Sequence, residues 1–111
     1  MLNRSAIIIR PGKGYITWAA GLDEHSDMVP SVDAEQTTYL IKAYDDVIDA
    51  MTLLSQEYPV IFQMELAAWH PDETRWPKDR TFSMFKEWFV IEFHSMVVDL
   101  CAHPIERDPR I

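Results

Sequence analysis

Apolar residues follow two different periods along this chain, and the places where the period changes mark its elements. Ala6-Ile7-Ile8-Ile9 is a largely β-branched run too short for a helix. Flanked by Ser5 and Arg10, it predicts a strand buried on both faces. Pro11-Gly12-Lys13-Gly14 ends that strand, because proline has no amide donor and glycine permits the turn. Tyr15, Trp18, Ala19 and Leu22 then recur at helical spacing and predict a short helix from Gly14 to Gly21. The β propensity of Tyr15-Ile16-Thr17-Trp18 keeps a strand as the alternative. Leu22 to Gln36 is polar, contains Pro30 and reads as the longest loop, mobile by expectation. Thr37-Thr38-Tyr39-Leu40-Ile41 predicts the second strand.

Asp45 or Asp46 suits a helix N-cap, and acids at Asp46 and Asp49 favour the first turn. Val47, Met51, Leu54 and Tyr58 line one face of the helix that follows. Pro59 is expected to break or kink this helix, or to open a new one in its first turn. From Val60 to Trp69 only Gln63 and Glu65 interrupt the apolar residues. A helix so apolar is buried, or buries its second face in another chain. His70 to Asp79, with Pro71 and Pro77, is a turn-rich connector. Thr81 is an N-cap candidate, and Phe82, Phe85, Trp88 and Phe89 form a helical stripe. Val90 to Leu100 then reads as a strand: Ile91, Phe93 and Val97 on one face, Glu92, His94, Met96, Val98 and Leu100 on the other. A continued helix is the alternative, since Phe85, Phe89, Phe93, Met96 and Leu100 also suit helical spacing. Residues 102–111 carry two prolines and alternating charge and read as a loose tail.

The resulting order is β-α-β-α-α-β. It predicts an α+β fold over a single domain, 1–111, with a small three-stranded mixed sheet and helices packed on one face. The first β-α-β unit favours parallel strands joined by a right-handed crossover. Three strands leave exposed edges and an uncovered face, for which dimerisation is a common remedy, so a homodimer is expected.

Charge narrows the partners. Eighteen acidic residues against ten basic ones give a formal charge of -8 over 111 residues. Such a domain repels phosphate backbones and anionic bilayers, so neither nucleic acid nor membrane is an expected partner. A single cysteine, Cys101, excludes an internal disulfide and fits a reducing compartment. The N-terminal apolar run is too short for a signal peptide, and nothing approaches the roughly 18 apolar residues of a span, which together predict a cytoplasmic protein. Gly12-Lys13-Gly14 is too short for a phosphate-cradling or dinucleotide loop, and no cofactor is expected.

Trp76-Pro77-Lys78-Asp79-Arg80, then Phe82, Phe85, Trp88, Phe89 and Glu92-Phe93-His94-Ser95, resembles small bacterial proteins of unknown function over the C-terminal third. That resemblance implies no activity, cofactor or site residue.

Four constellations carry candidate chemistry. Glu92 and His94 share a strand face, where a carboxylate beside an imidazole suits a general base with its orienting partner, or a plain exposed pair. His94, Asp99, Cys101 and His103 lie within ten residues, but His94 has the opposite strand parity and Cys-x-His is not a usual zinc spacing. A fourth ligand such as His25 or His70 would be needed, so no metal is expected. Glu65, if buried, needs a partner, for which Arg80 or Arg75 is the natural choice. Trp69, Trp76, Trp88 and Phe89 either pack in the core or line a groove for a peptide or apolar ligand. Ser95 and its neighbour His94 point to opposite faces, and Cys101 has no persuasive histidine, which argues against a local nucleophile–base pair.

Two readings follow. The leading one is a small homodimeric interaction or regulatory module using an aromatic surface near Trp69 to Trp88, with Trp69, Trp76, Arg80 and Glu65 as binding residues. The alternative is a small enzyme or ligand-binding protein with its site around Glu92, His94, Glu65 and Arg80. The enzyme reading requires those four groups to converge in one concave pocket.

Overall fold

The computed structural model describes residues 2–22 and 36–107. The elements are β1 (Arg4–Pro11), α1 (Lys13–Ala20), β2 (Thr37–Lys42), α2 (Val47–Trp69), α3 (Phe82–Trp88) and β3 (Phe89–His94), with a 3₁₀ turn at Glu73–Arg75 before α3. The fold is therefore α+β, in the order the hydrophobic pattern predicts. The expected loop 22–36 lies almost wholly outside the described residues.

The three strands form one sheet in the order β2-β1-β3, and both pairings are antiparallel. The expected mixed sheet and parallel first unit are thus corrected. Thr37 pairs with Ile9, so the chain enters β2 beside the end of β1 rather than its start. An eight-residue helix spans only about 12 Å, half the length of an eight-residue strand. It does not return the chain along β1, as a parallel crossover must.

β1 is the central strand because it carries the most apolar run. Ile7 and Ile9 are fully buried and point towards the helices. On that face Ile7 lies between Tyr39 and Phe93, and Ile9 between Thr37 and Ile91. The opposite face presents Arg4, Ala6, Ile8 and Arg10, flanked by Thr38, Leu40 and Lys42 on β2 and Val90, Glu92 and His94 on β3. Leu40 and Val90 stay exposed there.

α2 runs without interruption through Pro59, which the sequence marks as a break. Pro59 and Ser55, whose carbonyl loses its helical donor, are both exposed, so water can satisfy that carbonyl. Burial of Leu54 on one side of the proline and of Ile61 and Phe62 on the other holds the two halves in line. Asp46 caps the helix, its carboxylate accepting from the Asp49 amide at 2.9 Å. The apolar segment after Pro59 is not buried all round: Ile61, Phe62, Glu65 and Leu66 face inward, while Val60 and Met64 are exposed.

Thr81 caps α3 through the Met84 amide at 3.1 Å. Phe85 and Phe89 enter the core and Phe82 and Trp88 pack against it, so the aromatic stripe is core packing with one edge left open. β3 stops at His94 rather than running to Leu100 as expected, and no helix replaces it. The ladder stops at the Ala6–His94 pair, although β1 continues to Arg4. The Ser95 carbonyl instead accepts from the buried Ser5 hydroxyl at 2.8 Å, and that hydroxyl also accepts from the Tyr44 amide at 3.1 Å. Met96, Val98 and Leu100 consequently lie exposed.

Candidate functional site

The four groups of the enzyme reading do not converge. Glu92 and His94 form a pair at 3.1 Å, Nε2 to Oε2, with each side chain about half exposed (46% and 48%) on the open sheet face. The hydrogen bond from His94, with Arg10 adding its charge, holds the Glu92 carboxyl below its usual value. Glu65 lies on the helix side of the sheet and is buried. Arg80 does not reach it: its guanidinium donates to the Pro77 carbonyl at 2.8 Å and lies 5.7 Å from the Trp76 ring centroid. A solvated ion pair contributes little to stability. Replacing His94 by alanine is therefore expected to leave the melting temperature unchanged within error, checked by a thermal scan at neutral pH.

The Glu65 carboxylate accepts from the Tyr39 hydroxyl at 2.5 Å, and the Glu65 backbone carbonyl accepts from the Tyr15 hydroxyl at 2.7 Å. One turn of α2 is thereby tied to β2 and to α1. Burial first, and then the hydrogen bond and negative charge of Glu65, push the Tyr39 hydroxyl far above its usual pKa. A raised folded-state pKa means the folded protein holds this proton more tightly than the unfolded chain does. Its stabilisation is complete below about pH 10, where an unfolded tyrosine begins to ionise, and is lost as pH rises above that value. Tyr39→Phe is expected to cost about 1–3 kcal/mol at neutral pH, because it takes a donor from a buried carboxylate. The variant should also lose stability less steeply above about pH 10, by roughly 1.4 kcal/mol per pH unit. Urea titrations across that range measure both effects.

His94, Asp99, Cys101 and His103 do not assemble. Among the described residues no group of three or more His, Cys, Asp or Glu side chains is placed to hold a metal ion. The Asp99 carboxylate instead accepts from the Cys101 amide at 2.8 Å, and the cysteine is exposed. His25 lies outside the described residues.

The aromatic candidates separate. Trp76 is buried, its indole N–H donating to the His70 carbonyl at 2.8 Å, and Trp69 is half-buried at the end of α2. The open aromatic surface lies between α1 and α3. Gly14, Thr17 and Trp18 from α1, Glu87 and Trp88 from α3, and Pro77 from the connector line an open groove of about 530 Å³, with Lys13 beside them. The Trp18 and Trp88 ring centroids are 6.2 Å apart with planes tilted by 39°. Trp18 is fixed by its indole N–H, which donates to the Arg75 carbonyl at 3.0 Å. Trp88 is held from below by Phe62, 5.5 Å away between centroids.

Gly14 sets the depth of this groove. A Cβ built there would sit 2.3 Å from the Trp88 Cδ1. Only a bare backbone lets the indole approach α1 this closely. Gly12 does the same for the chain itself: its Cβ would come within 2.7 Å of the Trp88 carbonyl, which accepts from the Gly12 amide at 2.8 Å.

Of the predicted aromatic residues, Trp88 thus reaches the groove. Trp18 and Gly14 are not among the site residues that the hydrophobic pattern names. Their signal is a glycine four residues before a tryptophan on one helical face, a notch into which another large side chain fits. Comparison with family models, curated proteins and solved structures gave no match for this chain. A function must therefore be built from the chemistry of the site. No helix of the described residues is long and apolar enough to cross a membrane.

Proposed function

We propose that this chain is a small protein-interaction module whose recognition element is the groove between α1 and α3. The observation that carries the proposal is the pair of half-buried tryptophans, one from each helix, side by side on an open apolar floor with Pro77 as a wall. Tryptophans placed this way combine a large contact area with little side-chain entropy to lose, as binding hot spots do. The groove is open rather than enclosed, which suits a segment of another chain. The separation of Glu92 and His94 from Glu65 and Arg80 leaves the enzyme reading without a shared pocket.

The test is selection from a displayed random-peptide library on the full chain, repeated on Thr17→Arg. Thr17 is exposed and lines the groove, so an arginine there fills the site without touching the core. A consensus that wild type enriches and the variant does not supports the module. Equal enrichment on both proteins, or none on either, overturns it.

The same reading includes self-association and a cytoplasmic setting. β2 and β3 are both sheet edges, and the open face carries exposed Leu40 and Val90, features that a second copy covers. Native mass spectrometry is expected to show a dimer that Leu40→Lys shifts to monomer. A wild-type monomer at micromolar concentration refutes this part. The lone exposed Cys101 suits a reducing compartment.

A further inference from the structure

We propose that the occupant of the groove is a proline-rich segment of a partner protein with a basic residue at one flank; this rests on the groove being the recognition element. Three features of the groove select that class.

The first is shape. The two indole planes, 39° apart with centroids at 6.2 Å, make a shallow ridged floor. They are too close to enclose a group between them, so a ligand lies across both. The puckered rings of a polyproline II helix fit such ridges, and this helix is already extended before binding, so little ordering entropy is lost.

The second is hydrogen bonding. A polyproline II segment has unpaired backbone carbonyls and few amide donors, so its receptor must supply donors. The Trp18 N–H is taken by Arg75, but among the described residues the Trp88 indole N–H has no acceptor. That N–H edge lies beside Gly14 of α1, at the margin of the groove. A β-strand ligand would instead need a free sheet edge, and the groove lies between two helices.

The third is charge. The chain carries -8, which draws a basic partner and repels an acidic one. Within the groove Glu87 supplies the local acid, and Lys13 the opposite sign. A segment with its basic flank beside Glu87 and its neutral prolines across Trp18 and Trp88 matches the acid, while Lys13 disfavours a basic residue beside itself.

Fluorescence anisotropy with three labelled synthetic peptides tests this. One alternates proline and leucine with an arginine at one end. The second replaces each proline by alanine. The third keeps the prolines and exchanges the arginine for glutamate. The expected result is binding of the first, with the alanine and glutamate peptides each about tenfold weaker or worse. Thr17→Arg, checked for its fold by circular dichroism, should lose the first peptide. Glu87→Lys should bring the glutamate peptide level with the arginine one or above it. Equal binding of the proline and alanine peptides overturns the proposal. So does binding that survives Thr17→Arg, an unchanged flank preference in Glu87→Lys, or no binding of the first peptide. If it fails while the library still yields a consensus that depends on Thr17, the groove remains a recognition site for another class of segment. If neither binds, both readings fall.

Discussion

Phe62→Ala is expected to lower the unfolding free energy by about 3–5 kcal/mol, the usual cost of truncating a buried aromatic residue. Phe62 is fully buried on α2, and its ring meets three others: Phe85 at 5.6 Å, Trp88 at 5.5 Å and Phe89 at 5.4 Å between centroids. These neighbours belong to α3 and β3, so one side chain joins the long helix to the C-terminal half of the fold. The cavity cannot collapse easily, because Phe85 and Phe89 already pack on each other at 5.0 Å and are buried themselves. Small domains are stable by only about 5–15 kcal/mol, so this loss removes a large share of the total. The melting temperature should fall by roughly 15 °C or more. Urea unfolding should show an earlier midpoint with an unchanged slope. Phe62→Leu, which keeps most of the volume, should recover most of the loss. If Phe62→Ala costs less than about 1 kcal/mol, α2 and α3 do not share the core described here.

How much of this fold is legible in the sequence depends on how local each determinant is. The Ile7–Ile9 strand, the short helix after the glycines, and the Asp46 and Thr81 caps rest on neighbouring residues, and each forms where the pattern places it. Strand direction does not. It depends on where the chain re-enters the sheet, and Thr37 opposite Ile9 is a pairing that no residue near either one encodes. Pro59 misleads for a related reason. The local cost of the missing hydrogen bond is real, but Leu54 and Phe62, buried on either side of it, outweigh it. Alternation alone carries β3 on to Leu100, whereas the ladder stops at the Ala6–His94 pair, where the Ser5 hydroxyl takes the Ser95 carbonyl.

The site shows the same division. That Glu65 needs a partner if buried follows from its apolar neighbours. That Tyr39 is a partner, and that Arg80 does not reach Glu65, depends on β2 lying against α2, a contact across 26 residues. The aromatic density of the C-terminal third includes Trp88, but the tryptophan beside it in the groove is Trp18, brought there by the docking of α1. The Glu92–His94 pair is legible as a pair, since strand parity alone sets it. Its lack of company is a tertiary fact: the sheet separates it from Glu65.

Gly14→Ala is expected to destabilise the protein and to abolish groove binding, against the direction that helix propensity dictates. Gly14 lies within α1, and alanine in a helix is favoured over glycine by about 1 kcal/mol. Sterics oppose this and win. The new Cβ would lie 2.3 Å from Trp88 Cδ1, 2.6 Å from Nε1 and 2.7 Å from Cγ. These atoms belong to one rigid ring that is also packed on the buried Phe62, 5.5 Å between centroids. Overpacking of this kind costs about 1–3 kcal/mol, and here the displaced ring also gives up its contact with Trp18. The net loss should be roughly 1–2 kcal/mol. Gly21→Ala is the matched control. Its Cβ would meet nothing closer than the Trp18 carbonyl at 3.4 Å, and its φ of -77° suits any residue. That substitution should leave stability unchanged or raise it by up to about 1 kcal/mol, through the unfolded state. Thermal unfolding of the two variants side by side, with near-ultraviolet circular dichroism to follow the tryptophans, separates the outcomes. A Gly14→Ala variant as stable as Gly21→Ala, with an unchanged tryptophan signal, would mean that Trp88 does not rest on α1, and the groove would lose its floor.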